Sequence, residues 1–204
     1  MGLLSSSVAL TRYKVKGEPL TPLKESIYSG LKKNIIRDID NKSIDKIIGW
    51  TSFENPYVPN FEGNSFFFGS YIIFSLRIDK KSIPLQLIKK FTAIKTADFL
   101  EKTGRDFLST NEKKIIKDEV IDYLNQRIPA TPSVYDIVWN YEDKILWFLS
   151  NLKSGNEELE TLFSKSFNLT LLRLFPYTDA YLMNNLSDSE KDLLTNISST
   201  KFMG

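Results

Sequence analysis

Apolar and polar positions alternate from Val8 to Val15. Val8, Leu10 and Arg12 share one side and Ala9, Thr11, Tyr13 and Val15 the other, which predicts a first strand. Gly17-Glu18-Pro19 ends it. Thr21-Pro22 sets an N-cap followed by proline at the first helical position. Leu23, Ile27 and Leu31 then recur every four residues, predicting a helix to about Asn34. A strand around Ile47, Ile48 and Trp50 follows, then a proline-containing loop from Asn55 to Gly63. Phe66 to Asp79 is rich in aromatic and β-branched residues and predicts one or two strands, with Asp79-Lys80-Lys81-Ser82 as a turn.

The period changes at Pro84. Leu87, Ile88, Phe91, Ile94 and Phe99 or Leu100 form a stripe at helical spacing, broken at Gly104. Ser109 or Thr110 opens a second helix with Ile115, Ile116, Val120, Tyr123 and Leu124 as its apolar face, ended by Pro129 and Pro132. Val134–Trp139 and Ile145–Leu149 alternate again and are joined through Asn140–Lys144 as a hairpin. A helix over Asn156–Phe167, a strand over Leu169–Phe175 and a helical or loose tail from Thr178 complete the chain, with its last few residues disordered.

Strands and helices do not alternate one for one. The fold class expected is therefore α+β, with a mainly antiparallel sheet built from β-α-β-β and β-β-α-β parts flanking a central helix pair. Residues 1–83 and 133–178 are the sheet-containing parts of a single unit over 1–204, and 84–132 form a helical lobe.

Composition removes several chemistries. Cysteine and histidine are both absent, which excludes disulfides, Cys/His zinc sites, thiol catalysis and any imidazole base. A carboxylate–magnesium site stays open. The lack of cysteine agrees with a reducing cytoplasm. The strongest apolar run, Phe66 to Leu76, is interrupted by Gly69, Ser70 and Ser75 and is about half the roughly 20 residues a span needs, so no membrane partner is expected.

Net charge is only +2, so a basic surface has to be local. Residues 77–127 carry 12 basic against 8 acidic residues, whereas 128–204 carry 6 against 10. Arg77, Lys80, Lys81, Lys89, Lys90 and Lys95 crowd one stretch. Lys113, Lys114 and Lys117 lie near the start of the second helix, and cations at a helix N-terminus oppose its dipole, so Lys113 and Lys114 gain nothing from it there. An external anion such as phosphate accounts for that placement; a solvated helix face with Glu112, Asp118 and Glu119 as local partners is the competing account.

Four stretches, in order, resemble the bacterial recombination-associated RdgC family. They are Ile48-Gly49-Trp50; Ile72–Arg77 continuing through Asp79-Lys80-Lys81-Ser82-Ile83-Pro84 to Ile88-Lys89-Lys90; Glu112–Val120 followed by Arg127; and the strand holding Asp136 and Trp139. Together they span roughly residues 5–175. The resemblance is to a short form without the C-terminal extension that helps close the ring of longer members, and Pro129 stands where the family carries an aromatic residue. It implies a non-enzymatic, cytoplasmic, nucleoid-associated homodimer that binds double-stranded DNA with little sequence preference and restrains a RecA-type recombinase. No cofactor, metal or catalytic residue is implied. The DNA contacts implied are Arg77, Lys80, Lys81, Lys89, Lys90, Lys113, Lys114, Lys117 and Arg127, acting as a group on phosphates.

Two other classes compete. A magnesium-dependent exonuclease needs carboxylates and a lysine near one phosphate, and Asp136, Glu142 and Lys144 loosely match that pattern across the predicted hairpin. A protein-interaction module without DNA binding would expose Trp50, Trp139, Trp147 and Phe66-Phe67-Phe68 as an aromatic patch. Aromatic residues at strand spacing are more often core.

Overall fold

The central strands alternate, and their largest buried apolar residues fall on one face of one sheet. The structure, a computed structural model, describes residues 2–18, 21–62, 66–182 and 186–197. The expectation of disorder in the last few residues lies outside them. The strands are β1 (Thr11–Lys16), β2 (Lys46–Thr51), β3 (Phe67–Phe68), β4 (Tyr71–Lys80), β5 (Thr131–Asn140), β6 (Ile145–Phe148) and β7 (Thr170–Arg173). They form a seven-stranded sheet in the order β2-β4-β5-β6-β1-β7, with β3 folded back on β4, and every strand pair is antiparallel. The fold is α+β, and both outer parts of the chain contribute to the single sheet, as expected.

The inner face carries Tyr13, Val15, Trp50, Ile72, Phe74, Leu76, Ile137, Trp139, Leu146 and Phe148, all buried. Helices α1 (Leu23–Lys33) and α4 (Lys153–Phe167) cover it with Ile27, Leu31, Leu159, Leu162, Phe163 and Phe167. Phe167 lies at the centre, its ring 4.8 Å from Phe163, 5.7 Å from Trp139, 6.0 Å from Trp50 and 6.3 Å from Phe74. Tyr13 is the polar exception. Its hydroxyl donates to Asn156 Oδ1 at 2.6 Å and lies 2.9 Å from Glu160 Oε1. Burial, reinforced by Glu160, pushes that hydroxyl well above the ordinary tyrosine range.

Some boundaries differ from the expectation. β1 begins at Thr11, because Val8 and Leu10 have no partner strand and are exposed. The anticipated turn over Asp79–Ser82 is instead the end of β4, which runs on through Lys80. Pro132 lies within β5, ahead of the point where β6 begins to pair at Ile137; one edge of β5 is open there, the place that tolerates a residue without an N–H.

After α1 the chain passes beside β2 in a short parallel pairing. Trp50 donates its N–H to the Asn34 carbonyl at 2.9 Å, and Ile36 donates to the Trp50 carbonyl at 2.9 Å. Gly49 permits this approach: a Cβ there would lie 2.5 Å from both the backbone nitrogen and Cα of Ile36. Neither atom belongs to a flexible side chain that can move aside. Gly49→Ala is therefore expected to cost about 2 kcal/mol, read as a lower denaturation midpoint with an unchanged slope. An unchanged midpoint would refute the close approach.

Helices α2 (Leu85–Thr103) and α3 (Thr110–Asn125) pack on each other. Gly104 ends α2 in the left-handed conformation, φ 64°, with its N–H returned to the helix. Ser109 and Glu112 form a reciprocal capping box that starts α3. α2 buries none of its 19 residues, whereas α3 buries Ile116, Val120, Leu124 and Asn125. Two short helices, α5 (Pro176–Leu182) and α6 (Asp188–Thr195), follow β7.

Candidate nucleic-acid interface

The helix pair is antiparallel, and three contacts fix its alignment. The Phe91 and Tyr123 rings lie 5.7 Å apart, Lys95 Nζ reaches Glu119 at 3.0 Å, and Arg105 reaches Glu112 at 2.5 Å. Lys89 and Lys90 therefore sit beside the C-terminal end of α3, and Lys113, Lys114 and Lys117 toward the other end of the lobe. At about 100° per residue, Lys113, Lys117 and Lys114 span an arc of about 100° on α3 beside the buried stripe of Ile116, Val120 and Leu124, with Asp118 adjoining Lys114. Glu119 is tied to α2 through Lys95. The three lysines are exposed.

The nine residues expected to touch DNA divide by environment. Lys80, Lys89, Lys90, Lys113, Lys114 and Lys117 are exposed. The ammonium groups of Lys80, Lys89, Lys113, Lys114 and Lys117 make no ion pair or hydrogen bond with a described residue, and Lys90 lies over the Phe91 ring at 5.9 Å. Arg127 is exposed with its guanidinium stacked 4.1 Å above the Tyr123 ring, which holds the charge at a fixed place while leaving its N–H groups outward.

Arg77 and Lys81 are different. Arg77 grips Asp79 with two bonds, Nε to Oδ1 at 2.7 Å and Nη2 to Oδ2 at 2.6 Å, and donates from Nη1 to the Pro56 carbonyl. Lys81 is 4% exposed; its ammonium donates to the Lys42 carbonyl at 2.7 Å and to the Asn125 carbonyl. Its backbone N–H donates to the Asp45 carbonyl at 2.7 Å. Both side chains hold the protein together, and neither offers a free cation to a phosphate. Lys81 joins the 38–45 loop, the end of β4 and the end of α3, and so fastens the lobe to the sheet. Gln126 Nε2 to Ser43 Oγ at 3.1 Å and the Ala130 N–H to Asp40 Oδ1 at 2.8 Å reinforce the same joint.

The alternative metal site is not assembled. Asp136 accepts from Ser75 Oγ at 2.7 Å and from the Leu3 N–H at 2.8 Å. Lys144 pairs with Glu18 at 2.6 Å. Four residues of strand, about 13 Å, separate Asp136 from Asn140, where the turn carrying Glu142 begins. Among the described residues no group of three or more acids is placed to hold a metal ion. The aromatic patch is also divided: Trp50 and Trp139 are in the core, whereas Trp147 lies partly exposed on the outer face of the sheet.

Two features of the site escaped the sequence reading. One is the engagement of Glu119 by Lys95 and of Glu112 by Arg105, which takes two acids of α3 away from its lysines and which no spacing within α3 signals. The other is a row of cations on the outer face of β1, at Arg12, Lys14 and Lys16, visible only as a basic residue at every second position. Among the described residues no helix is long and apolar enough to cross a membrane. A scan against protein-family models returns no match, and neither does a search of curated proteins.

Proposed function

We propose that this chain is a double-stranded DNA-binding protein that reads no sequence, gripping phosphates with the exposed lysines of the α2–α3 lobe. The resemblance to the RdgC family extends this to a cytoplasmic homodimer associated with the nucleoid that restrains a RecA-type recombinase and carries out no catalysis. The observation that carries the reading is the set of solvent-facing lysines, Lys89, Lys113, Lys114 and Lys117, whose ammonium groups have no internal partner among the described residues. Lys113, Lys114 and Lys117, unpaired on neighbouring turns of α3, repel one another, and a polyanion relieves that repulsion while releasing its own counterions.

Arg127 and Lys90 extend the surface at the lobe's attached end; Lys80 lies at the end of β4, one residue before Lys81. Lysines on a helix flank supply point charges without base readout, which is the chemistry of binding without sequence preference.

The test is duplex binding over a salt series, with magnesium present and the DNA checked for integrity. Replacing Lys89, Lys90, Lys113 and Lys114 together by alanine is expected to flatten the log–log salt slope by about 3.6 and to weaken binding to every duplex alike. Binding and slope unchanged in that variant would overturn the assignment. Shortened DNA that is spared by Asp136→Ala would favour the nuclease instead.

A further inference from the structure

The outer face of the sheet lies opposite α1 and α4, and its side chains form two cross-strand rows. Tyr71, Asn140, Ile145, Lys14 and Leu172 are successive partners across β4, β5, β6, β1 and β7. Ile73, Val138, Trp147 and Arg12 make the parallel row beside it. Further along β1, Lys16 pairs with Thr170. One end of this face is roofed, since the Leu3 N–H bonds Asp136 and the Pro56 carbonyl bonds Arg77. The end holding Tyr71 and Trp147 is open: Tyr71 is 40% exposed and Trp147 partly so.

The open end has a particular chemistry. The Tyr71 and Trp147 rings lie 6.2 Å apart at 33°, two neighbouring aromatic surfaces on a rigid support. Arg12, Lys14 and Lys16 stand beside them at every second position of one strand. Neither row contains a carboxylate. Of the acids nearby, Asp143 accepts from the Asn140 amide at 2.8 Å, Glu18 pairs with Lys144 and Asp179 with Arg12 at 2.6 Å, while Glu142 in the β5–β6 turn is exposed. The Arg12–Asp179 pair is solvent-exposed on both sides and so is weak enough for a phosphate to displace. Lys14 donates to the Asp143 carbonyl at 2.9 Å and pairs with no carboxylate among the described residues.

We propose that this face binds single-stranded nucleic acid, with unpaired bases stacking on Trp147 and Tyr71 and the backbone phosphates running along Arg12, Lys14 and Lys16. A duplex keeps its bases stacked inside and has no use for flat aromatic surfaces; a single strand offers both a π-face and a phosphate at each nucleotide. The row of cations likewise selects against an ordinary apolar protein partner. The site shares no residue with the α2–α3 lobe and stands or falls separately from duplex binding.

Trp147 is also the built-in reporter, because Trp50 and Trp139 are 0% and 2% exposed. Titration with oligothymidylate at low salt is expected to quench the tryptophan emission and to raise the anisotropy of a labelled oligomer in parallel. Trp147→Ala should weaken the anisotropy-measured affinity about tenfold, while Trp147→Phe, which keeps a stacking ring and the fold, should recover most of it. Replacing Lys14 and Lys16 by alanine should flatten the salt slope by about 1.4. The quadruple lysine variant of the lobe should bind the oligomer normally. No quenching at low salt, or equal affinity in Trp147→Ala, would overturn the proposal. So would self-association in sedimentation that is abolished by Trp147→Ala, which would make the face an interface between copies.

Discussion

Phe167→Ala is expected to destabilise the protein by about 4 kcal/mol, the middle of the range for emptying an aromatic site in a packed core. The side chain is 6% exposed and its ring touches those of Trp50, Phe74, Trp139 and Phe163. Two of these contacts, with Phe74 and Phe163, are edge-on, the arrangement that places a positive ring edge against a negative face. Truncation removes the apolar area and leaves four rings around a void that the rigid sheet cannot close. Denaturant unfolding followed by circular dichroism measures the loss, and Phe167→Leu should recover more than half of it. A loss near that of a surface substitution would mean that α4 does not seat on the sheet as described.

Lys81→Met should cost about 3 kcal/mol, although it replaces a charged residue in a buried place by an apolar one of similar length. Burying an ammonium is unfavourable by itself, and removing it would help if nothing depended on it. Here the Lys42 and Asn125 carbonyls both accept from it, and methionine leaves the two without a donor. The damage should be local as well as global. Amide exchange should speed up through α3 and the 38–45 loop before it does so in β4 and β5, because Lys81 is a fastening between these parts. Full stability in Lys81→Met, with exchange unchanged, would show that the two carbonyls find other partners and that the joint is held elsewhere.

The parts of the fold legible in the sequence were those with a local cause. The capping box at Ser109 and Glu112, the glycine stop at Gly104 and the hairpin through Asn140–Lys144 are each specified within a few residues. The pairing of β1 with both β6 and β7 is not, because its partners lie more than a hundred residues away in the chain. The same distance hid the fate of Lys81. Its sequence neighbours are Lys80 and Ser82, the surroundings of a surface cation, and its burial comes from Lys42 and Asn125. Arg77 was misplaced for a subtler reason: at two-residue spacing in a strand, Asp79 is its neighbour on the same face, so the aspartate in the basic cluster was its partner. The lysines of α2 and α3 were legible as exposed, since a long charged side chain carries its head to water even beside an apolar stripe.

The short parallel pairing at Trp50 also protects the molecule from its own copies. β2 is the outermost strand on its side of the sheet, and an uncovered edge offers a row of unsatisfied backbone groups on which another chain can build. The Asn34–Ile36 segment takes the outward N–H and carbonyl of Trp50, and at the opposite end of β2 Lys46 holds a charge against Glu158 at 2.5 Å. Between these two ends only a few residues of bare backbone remain, too short a template for strand-by-strand growth. An aromatic-rich chain with little net charge is thereby kept from aggregating along that edge, and the glycine at position 49 is what makes the protecting segment fit.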